Sequence, residues 1–208
     1  RHFGQVRNIQ FSPDGELLAS CGDDGRVRIW RVDGTLAAHF RAHQGFIWSV
    51  SFSPDCTRLV TVSSDRTAKV WDLSPLGPST HWAATRNIPV SQTAFAPRSR
   101  RLAMSTADGR ILVGDAAVRG PLETLAQQVW PHSTIVFSPD ERRIIFTLPD
   151  QSVQSWMPTE RRKETIFPPH QGELPGKWAT GSHAVPLSYP VDQPLAAVYW
   201  DGLLRTWE

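Results

Sequence analysis

The sequence is poor in cysteine, with two residues, Cys21 and Cys56, among 208. Two cysteines at unrelated places do not make a disulfide framework, so a reducing, cytoplasmic compartment is expected. Long apolar runs are missing as well. A membrane-spanning helix needs roughly 20 consecutive apolar residues, and none is written here. Charge of one sign is also missing, because 22 Lys and Arg against 20 Asp and Glu leave a formal net charge of +2. That balance does not by itself call for nucleic acid or an acidic membrane. Glycine loops of the kind that cradle phosphates do not occur. Neither cysteine has a partner at zinc-ligand spacing, and His81, His132, His170 and His183 stand alone. His39 and His43 are four apart, but that spacing gathers ligands on a helix, whereas this segment reads as strand and turn. No metal and no cofactor is expected.

What is present is repetition. "FSPDGELLASCGDDGRVRIW" (Phe11 to Trp30) returns as "FSPDCTRLVTVSSDRTAKVW" (Phe52 to Trp71) and as "FSPDERRIIFTLPDQSVQSW" (Phe137 to Trp156). Alignment on the last residue exposes two drifted copies, giving endpoints Trp30, Trp71, Gly114, Trp156 and Trp207 at intervals of 41, 43, 42 and 51. A proline stands 17 residues before each endpoint (Pro13, Pro54, Pro97, Pro139, Pro190), and an aspartate stands 6 before it (Asp24, Asp65, Asp108, Asp150, Asp201). Five copies holding two residue types at fixed places are a true period, which has to be settled before any fold.

Inside each copy the grammar is β. "VRNIQF" and "IWSVSF" alternate, and "SPDG" or its relatives then turn the chain, since proline presets φ and Asp-Gly suits turn geometry. Short apolar strands follow ("ELLAS", "RLVTV"), then a tight turn carrying the aspartate, and a third strand running to the tryptophan. A weaker fourth strand fits before the next copy, as in "TLAAHF" and "LETLA". Four antiparallel strands in about 42 residues cannot bury both faces alone. They must stack on neighbours, which is how propeller blades behave.

The copies resemble WD40 repeats over essentially the whole chain, residues 1–208. The resemblance implies a hydrogen-bonded group of His, Ser or Thr, Asp and Trp in each blade. The first copy supplies His2, Ser20, Asp24 and Trp30, and the second supplies His43, Thr61, Asp65 and Trp71, with "WD" itself at Trp71-Asp72. Later copies depart from this. The third has Arg86, Met104, Asp108 and Gly114; the fourth has Gln128, Phe146, Asp150 and Trp156; the fifth has Ala179, Ala197, Asp201 and Trp207. Those blades keep the turn aspartate, lose the network, and are expected to be softer. The fold expected is an all-β, WD40-type β-propeller with five recognisable four-stranded blades. Three strands per copy and four connecting strands make nineteen, one short of five full blades. The chain, which begins at Arg1, is therefore expected to belong to a longer one whose further blades complete the ring.

A histidine, a hydroxyl and a carboxylate invite a hydrolase reading of His2, Ser20 and Asp24. The resemblance places that hydroxyl between the imidazole and the indole N–H, leaving no face for substrate, and no oxyanion hole is written nearby. A structural role is expected.

Two surfaces compete for a binding role. "CTR", "PRSRR" and "ERR" fall in the turn between first and second strands, so Arg58, Arg98, Arg100, Arg101, Arg142 and Arg143 would share one rim. A solvated rim is the ordinary outcome there, and an anion- or nucleic-acid-binding patch is the alternative. The opposite end, where partners of WD40 proteins often dock, holds Arg7, Asp23, Phe46, Trp48 and Trp200. Tryptophan and arginine dominate many interfaces, although core burial is an equal alternative for Trp48. The period breaks at Pro158 to His183, a long segment with Arg161, Arg162, Lys163 and Trp178. Long loops in compact domains are usually functional or disordered, and contact with a partner is expected. The function expected is a non-catalytic scaffold or sensor recognising a protein, as in the bacterial-type WD40 regions of multidomain signalling proteins. An anion-binding module is the alternative, and a hydrolase a distant third.

Overall fold

The period becomes sheets of one design. A computed structural model describes residues 1–73, 79–85, 87–116, 122–127, 134–148, 152–167, 187–188, 195–198 and 204–207. The first copy forms β1 (Val6–Phe11), β2 (Leu17–Gly22), β3 (Arg26–Arg31) and β4 (Leu36–Arg41), and the second forms β5 (Ile47–Phe52), β6 (Arg58–Ser63), β7 (Ala68–Asp72) and β8 (Ser79–Thr85). The third holds β9 (Val90–Phe95), β10 (Arg101–Thr106), β11 (Arg110–Asp115) and β12 (Glu123–Gln127). The fourth holds β13 (Ile135–Phe137), β14 (Ile144–Thr147), β15 (Val153–Met157) and β16 (Arg162–Phe167). The fifth has β17 (Leu187–Ser188), β18 (Leu195–Val198) and β19 (Leu204–Trp207), a three-stranded sheet among the described residues. Every sheet is antiparallel in simple chain order, and the described residues include no helix. The nineteen strands among the described residues equal the number expected from the repeats.

The recurrent "SPD" builds one turn three times. Ser12, Ser53 and Ser138 each receive a backbone N–H on their Oγ from five residues on, at 2.9, 2.9 and 3.0 Å, and donate to Asp14, Asp55 and Asp140. Each aspartate also accepts the N–H two residues later, at 3.0 to 3.1 Å. Short side chains thus satisfy the backbone groups that a hairpin turn would otherwise leave bare. The fourth turn position is left-handed, φ 75° at Gly15, 57° at Cys56 and 59° at Glu141.

The core lies between sheets, as period-2 alternation requires. From the first sheet Ala19, Cys21, Val27 and Ile29 meet Val50, Phe52, Leu59 and Trp71 of the second. Alternate residues of the second, Val60, Val62, Ala68 and Val70, meet Val90, Leu102, Met104 and Leu112 of the third. Ala103, Ile111 and Val113 then meet Ile135, Phe137, Ile144 and Phe146 of the fourth. Sheet follows sheet through the first strands β1, β5, β9, β13 and β17 in turn. Polar side chains reinforce the first junction, where Gln10 Oε1 accepts the Phe52 N–H at 2.8 Å and Asn8 Oδ1 accepts that of Val50 at 3.4 Å.

Backbone bonds define the two ends of each blade. At one end the turn before the second strand meets the chain leaving the third, through Leu73 N to Thr57 O and Ala116 N to Arg100 O, both 2.8 Å. At the other, the aspartate turn meets the chain entering the first strand, through Asp23 N to Gln5 O at 3.0 Å, Ser64 N to Phe46 O at 3.0 Å and Ala107 N to Pro89 O at 2.7 Å. The candidate surfaces sit on these two ends.

Candidate functional site

The second blade assembles its four network residues in the interior. Trp71 Nε1 donates to Thr61 Oγ1 at 2.8 Å, and Thr61 Oγ1 is 2.8 Å from His43 Nε2. His43 Nδ1 lies 2.9 Å from Asp65 Oδ2. These distances fix the protons. A carboxylate beside Nδ1 makes Nδ1–H the donor, so Nε2 accepts the Thr61 proton while Thr61 accepts from Trp71. Burial holds the His43 pKa down to about 4, against the opposing pull of Asp65, so the ring is neutral near pH 7. Thr67, which sequence reasoning missed, closes the group by donating to Asp65 Oδ1 at 2.6 Å.

The first blade repeats the arrangement. His2 Nε2 is 2.8 Å from Ser20 Oγ, His2 Nδ1 is 3.0 Å from Asp24 Oδ1, and Trp30 Nε1 donates to Ser20 Oγ at 2.9 Å. A second missed residue joins it: Arg28, buried, places Nη1 2.8 Å from Asp24 Oδ2. Burial pushes the Asp24 carboxyl up, yet bonds from His2, Arg28 and two backbone N–H groups hold it far below the usual carboxylate range. Arg28 stands two residues before Trp30 on the same strand face, the one signal that could have found it.

These distances resemble a Ser-His-Asp relay, but the oxygen is spent. Thr61 is fully buried, its lone pair holds the indole N–H and its proton points at the imidazole. A nucleophile needs an open approach, and the buried Thr61 oxygen has none. Cys21 is no nucleophile either, since burial pushes its thiol up to about 12.

The third and fourth blades have lost the network in different ways. A Cβ on Gly114 would collide with Cδ2 of Leu122, which fills the place of the missing indole. Asp108 turns to Arg110 at 2.6 Å and to the Thr106 hydroxyl. In the fourth blade Phe146 is fully buried where Thr61 would be, and the buried Trp156 Nε1 has no acceptor among the described residues. Arg86, Gln128, Asp150, Ala179 and Asp201 lie outside the described residues, as do the side chains of Ala197 and Trp207.

On the end formed by the aspartate turns, four sequence-chosen residues come together. Arg7 of β1 donates from Nε to Asp23 Oδ1 at 2.6 Å. Its guanidinium carbon lies 4.7 Å from the Phe46 ring centre and 4.8 Å from that of Trp48. The two rings meet edge to face at 4.7 Å and 88°, the arrangement their quadrupoles favour. The Asp23 carboxyl sits below its ordinary range because of the Arg7 bond and the Gln5 N–H. Phe46 and Trp48 are half-buried, and Trp48 packs by its other side on the second core cluster. Its burial is therefore divided between core and surface. Trp178 and Trp200 lie outside the described residues.

The opposite rim gathers its arginines but mixes them with acids. Arg58 binds Asp72 at 3.1 Å and reaches Ala116 O of the next blade at 3.5 Å. Arg143 pairs with Glu164 at 3.3 Å, and Arg101 stacks over Phe137 at 6.0 Å. Glu141 Oε1 accepts the Arg98 N–H at 2.5 Å across the third and fourth blades. Arg98, Arg100 and Arg101 line a cleft together with Asp55 and Asp115. Arg142 is exposed on the neighbouring turn.

A family model for the WD domain, G-beta repeat, matches residues 1–31 and again residues 34–72. The first two blades are WD40 repeats. A stretch of 31 residues is 52% identical to the serine-threonine kinase receptor-associated proteins of Homo sapiens, Mus musculus and Bos taurus. It makes up 15% of this chain and 9% of each relative, so the chain spans less than a tenth of the curated relatives it matches. The WD40 matches lie on the two blades whose networks are complete and end at residue 72, before the blade in which Met104 and Gly114 replace the hydroxyl and the tryptophan.

Proposed function

We propose that the chain is a non-catalytic protein-interaction scaffold whose recognition surface is the end carrying Arg7, Asp23, Phe46 and Trp48. One observation carries this reading: a guanidinium held against two aromatic faces, bridging the first two blades on a solvent-facing end. Blade packing does not require an arginine there. Interfaces, by contrast, draw most of their energy from such aromatic and arginine anchors. WD40 repeats in the same two blades support protein binding, and the name of the matched relatives, serine-threonine kinase receptor-associated protein, is in keeping with a signalling scaffold. A cytoplasmic, signalling scaffold is the finer form of this reading.

The arginine rim supports the second reading, an anion or nucleic-acid site, through the cleft lined by Arg98, Arg100 and Arg101. The acids in the same cleft weigh against it.

Partner capture under native conditions tests both. Arg7→Ala should weaken the captured partner's binding about fivefold or more, the loss expected on truncating an interface anchor, with little change in melting temperature; Trp48→Ala should weaken it as much and also lower the melting temperature, because one side of Trp48 packs on the core. Binding that survives these changes but falls in an Arg98→Ala/Arg100→Ala variant, and collapses as salt rises, would transfer the function to the rim.

A further inference from the structure

The turn between first and second strands carries Ser-Pro-Asp in the first, second and fourth blades, and the third blade departs from it. Arg98 stands where the other copies have Asp14, Asp55 and Asp140, and Ala96 stands where they have the serine. The charge at that place is reversed. In the other turns the aspartate accepts the N–H of Glu16, Thr57 or Arg142. The equivalent N–H belongs to Arg100, and no turn aspartate is left to receive it. Ser99 Oγ takes over part of the task by accepting the Arg101 N–H at 3.3 Å. Arg101 has moved away too. It opposes Asp115 across β10 and β11, as Arg58 opposes Asp72 across β6 and β7. Arg58 binds its aspartate at 3.1 Å, whereas Arg101 lies over the Phe137 ring of the fourth blade. Arg98 and Arg100 are exposed, and their guanidinium groups have no ion pair among the described residues.

This altered turn faces the second blade across a cleft of about 370 Å³, lined by Asp55 on one side and by Arg98, Ser99, Arg100, Arg101 and Asp115 on the other. Small-molecule sites occupy roughly 300–1,000 Å³. Asp55 has an oxygen to spare. Its Oδ1 accepts from the Ser53 hydroxyl at 2.6 Å, the Thr57 hydroxyl at 2.8 Å and the Thr57 N–H at 3.1 Å, while Oδ2 accepts nothing among the described residues. Burial raises the Asp55 carboxyl, but those bonds hold it below the ordinary carboxylate range, so it is charged at neutral pH. The cleft thus offers cations without partners on one wall and an anion with a free lone pair on the other.

We propose that this cleft between the second and third blades binds a small zwitterion of the amino-acid class. Its carboxylate takes the place of the missing turn aspartate, accepting from the Arg100 N–H and from the Arg98 and Arg100 guanidinium groups. Its ammonium is held by Asp55. Bonds of this kind, with a charge on both partners, are the strong ones. The acids that repel a polyanion are then half of the recognition, so the cleft rejects nucleic acid and accepts a molecule with no net charge. It lies at the opposite end of the blades from Arg7 and Trp48, and does not depend on partner recognition there.

Heteronuclear NMR titration of the 208-residue chain tests it, with glycine, β-alanine and γ-aminobutyrate as probes of increasing charge separation. At least one of them, at millimolar concentration, should shift the amide resonances of Asp55 and of the turn from Arg98 to Arg101. Acetate and methylammonium, which carry one charge each, should bind about tenfold more weakly or less, the loss of one charge-assisted hydrogen bond. Arg98→Gln/Arg100→Gln, at exposed positions, should stay folded by circular dichroism and lose the amino acid. Asp55→Asn keeps the oxygen to which Ser53 and Thr57 donate but removes the charge. It should bind the amino acid about tenfold more weakly, and inorganic phosphate more tightly than the wild type does. A wild type that binds none of the three amino acids overturns the proposal. So does a wild type that binds phosphate as tightly as the best of them, which would return the cleft to simple anion binding, or amino-acid binding that survives in either folded variant.

Discussion

Trp71 donates its indole N–H to Thr61 Oγ1 at 2.8 Å, while Trp156, at the same place two blades on, buries the same N–H with no acceptor among the described residues. Phe146 makes the difference, since it stands where Thr61 stands and offers only carbon. One residue type at the end of a repeated sentence thus has two environments, one polar and satisfied, the other packed and orphaned.

Trp71→Phe strips a donor from a buried network and leaves the Thr61 oxygen short of a partner, which costs about 1–3 kcal/mol. Trp156→Phe removes an N–H that has nothing to lose, and should be neutral or slightly stabilising. Calorimetric unfolding of the two variants separates the cases. Equal losses would mean that the indole N–H plays no part in the second blade.

Acid should loosen the second blade through His43. The unfolded chain protonates His43 as pH falls through about 6.5, whereas the folded chain keeps it neutral until about 4. The unfolded state therefore binds more protons across that window. Stability is full above it and falls by up to about 1.4 kcal/mol per pH unit on the way down. Asp65, which burial raises but Thr67 and His43 hold below its ordinary range, titrates lower still. Urea midpoints between pH 7 and pH 4.5 should show this slope in the wild type and a shallower one in His43→Gln; parallel slopes would refute the assignment.

The repeat made the strands and the blade order legible, because proline, aspartate and tryptophan recur at fixed offsets and alternation sets the faces; the two buried networks were legible only through the resemblance to WD40 repeats. Arg28 and Thr67 were not legible. Strand alternation puts Arg28 on the face of Trp30, but the reason a charged residue is buried there appears only when Asp24 and His2 are seen beside it. Phe46 and Trp48 were visible as misplaced aromatics, but not that Arg7 would reach across a blade to lie on both. Tertiary distance, which local pattern does not encode, made that group.

Left-handed turn positions offer a gain. Cys56 at φ 57° and Arg66 at φ 66° stand where other copies use Gly15, Gly25 and Gly109 at φ 75°, 65° and 81°. A Cβ in that region costs roughly 1–2 kcal/mol, partly offset by the greater freedom of glycine in the unfolded chain. Arg66→Gly and Cys56→Gly should each stabilise by about 0.5–1 kcal/mol, and the reverse change, Gly109→Ala, should cost at least as much. Denaturant midpoints that do not rise for either glycine variant would show that neighbouring bonds, rather than φ, govern these turns.

The turn aspartates share a position and differ in their partners, so their removal should not cost the same. Asp65 is 16% exposed and accepts from His43, Thr67 and the Gln44 N–H, at 2.9, 2.6 and 3.2 Å. Asp65→Ala leaves a buried imidazole N–H and a hydroxyl without their acceptor, a loss of about 1–3 kcal/mol. The Asp108 side chain is 50% exposed and pairs mainly with Arg110, itself 34% exposed. An ion pair in such reach of water contributes about 0–1 kcal/mol, and Asp108→Ala should fall in that range. Thermal unfolding of both variants decides it. A cost at Asp108 equal to that at Asp65 would mean that the aspartate stabilises its turn alone, and that the histidine network adds nothing to the blades that have it.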